Sequence, residues 1–334
     1  MAATIKDIAK LANVSHTTVS RALNNSPLIK ENTRQRIAEI AAQLNYTPNY
    51  NAKSLVMQRS YTIGLFFTSI AKGTSPSFFS DTFRGVNRVV DVDYNLSVRG
   101  IDDYQDYSPV HSKRFDGIIL MSQSEADNEF MHHVLQHGIP LVVLNRVIDD
   151  SSIMNIVSND REGAYSAGAY LIECGHRDIA LIEGVEGFKS TVERREGFLR
   201  ALMDHDIPVQ ADYIVRGNYD MQSGYQAMTQ LMSLSNPPTA VFCSNDDMAV
   251  GAMNYVFECG LQVPGDVSIV GFDDSGFSSF TNPSLTTVKR PIETISEQGA
   301  RKLLKLIKEP TEIGERILIN TELIIRKSAA PLIK

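Results

Sequence analysis

The sequence of 334 residues lacks the features that mark membrane-spanning and secreted proteins. No apolar run approaches the roughly 18 residues that a membrane-spanning helix needs, so no segment is expected to cross a membrane. The first residues have no apolar stretch followed by a cleavage site, and no secretory signal is expected. The three cysteines, Cys174, Cys243 and Cys259, are odd in number and lack metal-ligand spacing. This usage is typical of reduced thiols, and a cytoplasmic protein is expected.

The common sequence motifs of catalysis are also absent. There is no Gly-x-Ser-x-Gly, no glycine-rich phosphate-binding loop and no Cys-His pair of known spacing. The turn at residues 184–187, Gly-Val-Glu-Gly, is too short for a dinucleotide-binding motif. His133 and His137 are four residues apart with Glu129 one turn earlier, but a catalytic zinc needs a third good ligand and an open cavity. A surface helix explains them better, so no enzyme, metal or cofactor is expected.

The formal net charge of −7 hides an asymmetry along the chain. Residues 1–59 hold eight basic and three acidic side chains, a net charge of +5, which leaves −12 for residues 60–334. A basic head on an acidic body suits phosphate binding, because like-charge repulsion keeps the body away from DNA. The chain is otherwise of ordinary globular composition, and its length is typical of two or three domains.

Within the basic head, the spacing of apolar residues predicts two short helices. The first is capped by Thr4, carries Asp7 in its first turn and ends at Asn13, a residue that tolerates the left-handed conformation. Its apolar stripe consists of Ile5, Ile8, Ala9 and Ala12. The second helix is capped by Ser15 and runs from His16 to about Leu23.

Two short helices joined by a tight turn form a helix-turn-helix unit, whose second helix enters the DNA major groove. In that geometry His16, Thr17 and Arg21 point outward, and the guanidinium of Arg21 suits guanine O6 and N7. The alternative from periodicity alone is a helical hairpin with a solvated polar face. The charge asymmetry favours the helix-turn-helix. A third helix is predicted from about Glu31 to Leu44.

From Tyr61 onward, short apolar runs alternate with helical patterns, which is typical of βαβ units on a parallel sheet. The predicted buried strands are Ile63–Phe67, Gly117–Met121, Leu141–Leu144, Ile179–Glu183, Ala240–Ser244 and Ser268–Gly271. The predicted helices lie near Phe79–Val90, Glu125–His137, Glu162–Cys174, Val192–Asp204, Met221–Met232, Asp246–Glu258 and Ile292–Ile307. The fold class is therefore α/β, with two doubly wound parallel-sheet subdomains divided near Arg146.

Several motifs, in this order, resemble the LacI/GalR family of bacterial transcription regulators over essentially the whole chain. In the head they are Ile5-Lys-Asp-Ile-Ala9, Val14-Ser-His-Thr-Thr-Val-Ser-Arg21 and Leu44-Asn-Tyr-Thr-Pro-Asn49. In the body they are Ile63-Gly64, Phe115-Asp116-Gly117, Gly175-His176, Arg194-Arg-Glu-Gly-Phe198, Ser244-Asn-Asp246 and Val270-Gly-Phe-Asp-Asp274.

The resemblance implies a DNA-binding head at residues 1–47, a hinge at 48–60 and a periplasmic-binding-protein-like core at 61–334. The core would comprise a first subdomain, about residues 61–145 plus a crossover segment, and a second, about 146–330. The implied DNA-contacting residues are Ser15, His16, Thr17, Thr18, Arg21, Asn24, Asn49, Ala52 and Leu55. Leu55 matches a leucine that wedges into the minor groove at the operator centre. Packing of Leu55 on the body is the alternative.

The resemblance also implies an effector site in the cleft between the two subdomains. Arg194 and Asp273 match charged effector-binding residues, and such a pair on opposite walls can hold vicinal hydroxyls with charge-assisted hydrogen bonds. Asn245 matches the polar residue that follows a strand, where open α/β sheets present their ligand sites.

Aromatic and further polar residues complete the expected effector site. Tyr219 and Phe79 match positions that often supply an aromatic face for a sugar ring, and subdomain packing is the alternative for both. Asn145 and Asp160 are further candidates, although each equally suits the cap of a turn.

The function that the resemblance implies is repression of a carbohydrate-utilisation operon. A homodimer would bind a near-palindromic double-stranded operator and leave it when a small sugar-type effector binds. The alternatives are a purine or protein co-repressor, a sugar-binding protein without a DNA role, and an α/β enzyme. The segment between Asp91 and Phe115 is shorter than usual for the family, and no apolar heptads follow the last strand, so a dimer is expected rather than a tetramer.

Overall fold

The computed structural model describes residues 3–23, 26–44, 46, 59–90, 94–309 and 314–332. The chain forms two compact units, a head at Met1–Arg59 and a body at Ser60–Lys334. The predicted hinge, residues 48–60, lies outside the described residues except for its last two positions. Within the described part, no helix combines the length and apolar character needed to cross a membrane.

The head contains three helices, α1 (Ile5–Ala12), α2 (His16–Leu23) and α3 (Glu31–Gln43). The Asp7 carboxylate accepts hydrogen bonds from the Thr4 backbone N–H at 2.9 Å and from its hydroxyl at 2.6 Å, which fixes the start of α1. Asn13 ends the helix with φ of +53°, in the left-handed region. The three helices enclose a small core that includes Ile8, Val19 and Ile37, as the apolar spacing predicts.

The body contains two six-stranded sheets. The first has the order β11-β5-β4-β3-β1-β2, all parallel, with strands β1 (Thr62–Phe67), β2 (Asn95–Gly100), β3 (Gly117–Met121), β4 (Leu141–Leu144), β5 (Met154–Ser158) and β11 (Arg316–Ile319). The second has the order β12-β10-β9-β8-β6-β7, with strands β6 (Ile179–Glu183), β7 (Ile214–Arg216), β8 (Ala240–Cys243), β9 (Ser268–Asp273), β10 (Thr286–Lys289) and β12 (Glu322–Ile324). Only β12 runs antiparallel to its described neighbour.

Helices cover the faces of both sheets, as a parallel α/β architecture requires. They are α4 (Pro76–Asn87), α5 (Asn128–Gln136), α6 (Asp160–Glu173), α7 (Lys189–Asp204), α8 (Met221–Met232), α9 (Asp246–Glu258) and α10 (Ile292–Lys308). The predicted bounds of α8 and α9 are confirmed. Helix α4 begins three residues earlier than predicted, because Ser75 caps it by accepting a hydrogen bond from the Phe78 N–H and Pro76 occupies its first turn.

The predicted division near Arg146 is corrected by the structure. Strand β5 follows that residue yet pairs in parallel with β4, so the first sheet continues to Ser158. The chain then crosses to the second sheet at Asp160, where α6 begins. Strand β5 was missed because it is short and its second residue is Asn155, whereas a buried strand is expected to be apolar.

Two further crossovers connect the subdomains. One lies between the end of β10 and the start of α10, which returns to pack on the first sheet through residues such as Ile295 and Leu303. The other joins β11 to β12, where the Thr321 hydroxyl donates a hydrogen bond to the Asn159 carbonyl at 3.1 Å. Between β2 and β3 the described chain has only a 3₁₀ turn at Ile101–Asp103, in agreement with the predicted shortness of that segment.

Candidate functional site

The second helix of the head presents a polar face to solvent. Val19 and Ala22 of α2 are buried in the head core, which leaves His16, Thr17 and Arg21 exposed on the opposite side. The Ser15 Oγ accepts a hydrogen bond from the Thr18 N–H at 3.0 Å and so caps α2, as predicted. The exposed face thus carries hydrogen-bonding side chains at the start of a fixed helix.

Of the remaining predicted DNA-contacting residues, the structure describes only Thr18. The Thr18 hydroxyl lies 2.8 Å from the Ser15 Oγ, so Thr18 helps to hold the side chain that caps α2. The other predicted positions, Asn24, Asn49, Ala52 and Leu55, lie outside the described residues.

In the body, four charged side chains meet where strands of both sheets end, and all of them are buried except Asp273, whose side chain is 15% exposed. Arg194 lies on α7, Asp160 at the start of α6, Asp273 at the end of β9 and Arg290 directly after β10. The Arg194 guanidinium donates to Asp160 Oδ2 at 2.9 Å and to Asp273 Oδ1 at 3.4 Å. Arg290 donates to the same Asp160 oxygen at 3.1 Å, and its Nε lies 3.4 Å from Asp273 Oδ1. Each arginine therefore contacts both aspartates.

The protonation of the two aspartates follows from the balance of burial and charge. Burial by itself favours the protonated carboxyl, but Arg194 and Arg290 outweigh it at Asp160 and hold the pKa of that residue below its ordinary value. At Asp273 burial dominates over the same two arginines, and its pKa is raised. The pKa of Arg194 is raised by Asp160 and Asp273 in spite of burial. Asp160 is thus the stable anion of the cluster, and Asp273 is the more readily protonated partner.

The polar residues around this cluster are held in defined positions. Asn245 caps α9 by accepting a hydrogen bond from the Met248 N–H at 3.0 Å, and its Nδ2 donates to the Tyr219 carbonyl at 3.0 Å. The Asn145 amide donates to the Ser122 carbonyl at 2.9 Å, while its oxygen accepts from Arg290 at 3.2 Å. The capping alternative considered for Asn145 and Asp160 is therefore incomplete, because both residues bond to arginines of the cluster.

Two aromatic residues border the cleft. Tyr219 is buried, with φ of +64°, and its hydroxyl lies 2.8 Å from Thr191 Oγ1 and 3.1 Å from Ser190 Oγ. The second aromatic is Phe78, over which the Arg290 guanidinium lies at 5.1 Å from the ring centroid. The predicted Phe79 packs on Phe67, with ring centroids 5.3 Å apart, and Phe78 rather than Phe79 faces the cleft.

These residues enclose a cavity of about 30 Å³, which has room for roughly two water molecules. Of the predicted effector residues, Asn145, Arg194, Tyr219, Asn245 and Asp273 line it. Six lining residues were not predicted: Gly73, Ser75, Phe78, Gln123, Ser190 and Arg290. Arg290 would have been found by its position at the carboxyl end of a parallel strand, had β10 been recognised.

The histidines that could be mistaken for a metal site are engaged in other contacts. The His133 Nε2 lies 2.8 Å from the Val110 carbonyl oxygen, and the His137 Nδ1 lies 2.9 Å from the His133 carbonyl oxygen. Across the residues that the structure describes, no group of three His, Cys, Asp or Glu side chains is placed to hold a metal ion.

Comparison with known protein families gives one match in the head and one in the body. Residues 4–49 match the family described as bacterial regulatory proteins, lacI family, and residues 169–329 match the periplasmic binding protein-like domain. A protein of Bacillus subtilis (strain 168), named probable HTH-type transcriptional repressor ExuR, is 64% identical over 329 residues, 98% of this chain and 99% of the relative.

Solved structures show the same similarity. The lac repressor dimer bound to operator and the anti-inducer ONPF is 27% identical, with a TM-score of 0.84 over 99% of this chain and 100% of that chain. A complex of the transcriptional regulator CelR with cellobiose is also 27% identical, with a TM-score of 0.74 over 98% of this chain and 100% of that chain.

Proposed function

The chain belongs to the LacI family of bacterial transcriptional regulators, and from this premise we propose how its residues bind DNA and effector. The protein is a DNA-binding transcriptional repressor that responds to a sugar-type effector, and it is not an enzyme. The proposed mechanism rests on the charged cluster of Arg194, Arg290, Asp160 and Asp273 at the cleft. The same chain has an exposed helix-turn-helix face.

At the operator, we propose that α2 lies in the major groove. His16 and Thr17 would contact base edges, and the guanidinium of Arg21 would bond guanine O6 and N7.

Asn24 and Asn49 would contact the DNA backbone, and Ala52 and Leu55 of the hinge would lie in the minor groove, with Leu55 as the wedge at the operator centre. Support comes from the exposure of all three α2 side chains and from the Ser15 cap that fixes the start of the helix.

The protein acts as a homodimer on a double-stranded operator. Two copies present two α2 helices, so the operator would be near-palindromic. We propose a cytoplasmic location, because a bacterial operator lies there. For the domains, we propose a head that ends near residue 47, a hinge up to residue 60, and a core whose subdomains divide at Asp160.

In the cleft, we propose that the effector binds by replacing contacts within the charged cluster. A sugar offers pairs of hydroxyls, each of which can donate to Asp273 and accept from Arg194 or Arg290. Phe78 and Tyr219 would flank the ring, and Asn145 and Asn245 would orient it. The solved CelR–cellobiose complex supports a sugar as the class of ligand. Because the cavity has room for only about two water molecules, the subdomains must separate to admit a sugar.

The test is a screen for the ligand that changes operator affinity. An operator is first selected from random DNA duplexes with the full-length protein. Its affinity is then measured by fluorescence anisotropy at one fixed salt concentration, with neutral sugars, sugar acids, sugar phosphates and purines. We expect a sugar or sugar derivative to weaken operator binding by about 5- to 150-fold. Tightening by a purine alone would establish the co-repressor alternative, and selection of no DNA sequence would overturn the DNA-binding role.

A further inference from the structure

A second cavity lies in the second subdomain, beside the cleft. It has a volume of about 430 Å³ and lies at the carboxyl ends of β6 and β7, against the first half of α7. This volume falls within the range of about 300–1,000 Å³ that is usual for small-molecule sites, whereas the cleft cavity of about 30 Å³ does not. In this conformation the second cavity is therefore large enough for a molecule of monosaccharide size.

A buried carboxylate at the end of β6 forms part of the cavity wall. Glu183 is 6% exposed, and its Oε1 receives no hydrogen bond, although the Nε of Arg195 lies 3.2 Å away as an ion partner. A buried carboxylate oxygen without a hydrogen-bond donor is costly, and the charge of the Arg195 guanidinium offsets part of that cost.

The charged residues at the cavity narrow the class of ligand. The Arg216 guanidinium donates to the two carboxylate oxygens of Glu186 at 2.6 and 3.0 Å, and Arg195 pairs with Glu183. With Glu196, the cavity has three carboxylates and two guanidiniums. A cation would meet two arginines and an anion would meet three glutamates. A neutral molecule with several hydroxyls can donate to the carboxylates and accept from the guanidiniums.

The second cavity is connected to the cleft through the hydrogen bond between Thr191 and Tyr219, a residue that lines the cleft cavity. Thr191 lines the second cavity, and its Oγ1 lies 2.8 Å from the Tyr219 hydroxyl. Ser190 and Arg194, which are four residues apart on α7, face the cleft, whereas Thr191 and Arg195, also four apart, line the second cavity. Helix α7 thus lines both cavities, and Tyr219 of the cleft contacts the second cavity's Thr191.

We propose that this second cavity binds a neutral polyhydroxylated molecule of monosaccharide size and thereby influences the effector cleft through Thr191 and Tyr219. Binding at this cavity is independent of the function proposed above, and only the influence on the cleft rests on it. A ligand that displaces Thr191 changes the hydrogen bonds of the Tyr219 hydroxyl, and Tyr219 borders the charged cluster.

The test measures binding directly, without DNA. Full-length protein is titrated with D-glucose, D-ribose and myo-inositol by saturation-transfer NMR. We expect at least one of them to bind, and Val192→Trp, which fills the second cavity, to weaken that binding by about tenfold or more. Glu183→Gln, which keeps the shape but removes the charge, should also weaken it. Thermal melting confirms that each variant is folded.

Two control variants separate the possible sites. Met203→Trp adds the same side chain to an exposed position of α7 away from the cavity and should bind like wild type. Arg290→Met, which changes the cleft but none of the residues that line the second cavity, should retain the binding. The proposal is overturned if none of the three compounds binds, if Val192→Trp and Met203→Trp bind equally well, or if Arg290→Met abolishes binding. A failed operator screen with intact binding here would instead count against the proposed function alone.

Discussion

Asp160 and Arg290 are 130 residues apart in sequence, and the Asp160 Oδ2 accepts a hydrogen bond from the Arg290 guanidinium at 3.1 Å. Asp160 lies where the chain first crosses between the subdomains, and Arg290 lies where it returns. The ion pair therefore joins two of the connections about which the subdomains can rotate. Because both groups are buried, separating them without a substitute partner is costly, and a ligand that opens the cleft must supply that substitute.

Replacing Asp273 by asparagine should separate effector response from folding. Asp273 has φ of +111°, and asparagine tolerates positive φ better than alanine, so Asp273→Asn keeps the backbone while removing the charge. We expect operator affinity without effector to stay within about twofold of wild type and the effector response to fall by about tenfold or more. Titration of operator release with the active sugar measures this.

Asp274→Asn is the matched control for that experiment. Asp274 also has positive φ, but it pairs with Arg326 at 2.6 Å and does not line the cleft. It should respond to effector like wild type. Equal responses of Asp273→Asn and wild type would remove Asp273 from the effector site.

On the DNA side, Arg21→Ala should cost about 1–3 kcal/mol of binding free energy on the specific operator and relax selection at one base pair. Arg21→Lys keeps the charge but cannot form the forked contact, so it should lose specificity while keeping most non-specific affinity. Binding to the selected operator and to single-base variants of it measures both effects. Equal weakening on all sequences would make Arg21 a phosphate contact.

The Ser15 cap allows helix stability and DNA contact to be separated. Ser15→Ala removes the acceptor of the Thr18 N–H and should destabilise the head by about 1 kcal/mol. Ser15→Asp supplies a new acceptor and should restore stability, but its negative charge would face DNA phosphates and weaken binding. Thermal unfolding of the head and operator titration follow the two effects. If Ser15→Asp bound DNA like wild type, Ser15 would not lie near the DNA backbone.

Much of this architecture follows from local sequence. The apolar spacing of α1, α2, α8 and α9 predicted helices that are confirmed, because strong periodicity and clear caps such as Ser15 and Asn245 act within a few residues. The short strands β5 and β10 were missed because each contains buried polar residues, and Asn155 of β5 is buried only because groups outside its own strand, such as the Val143 carbonyl, bond its side chain.

The effector cleft was only partly predictable for the same reason. Arg290 joins the site through its contacts with Asp160 and Asn145, which are far away in the sequence. Phe78 and Phe79 are adjacent in sequence and point in different directions from α4, so the packing of the helix decides which of them lines the cleft.

The buried carboxyl of Asp246 should make the stability of the fold depend on pH. Its carboxylate accepts hydrogen bonds from Ser275, Ser278 and Thr287, and burial together with the charge of Asp273 raises its pKa to about 8. The unfolded chain releases this proton near pH 4, so between about pH 4 and pH 8 the folded state holds the extra proton. The stability that it contributes is present at low pH and is lost as pH rises toward 8.

Asp246→Asn removes that titration while keeping the shape. Only wild type loses stability as pH rises, so the free energy of unfolding of Asp246→Asn, relative to that of wild type, should increase from about pH 5 to pH 8. Urea unfolding at both pH values measures the change, and Asp266→Asn at an exposed position is the control. A constant difference between Asp246→Asn and wild type across this range would show that Asp246 is already ionised in the fold.

The central claim is that the cleft and the operator are linked in one molecule. The most direct measurement is the affinity of the active sugar for the full-length protein, free and saturated with its selected operator, by isothermal titration calorimetry. Linkage requires that the operator weaken sugar binding by the same factor by which the sugar weakens operator binding, about 5- to 150-fold, and that Arg290→Met reduce this factor toward one. Equal sugar affinity of the free and operator-bound protein would contradict the account.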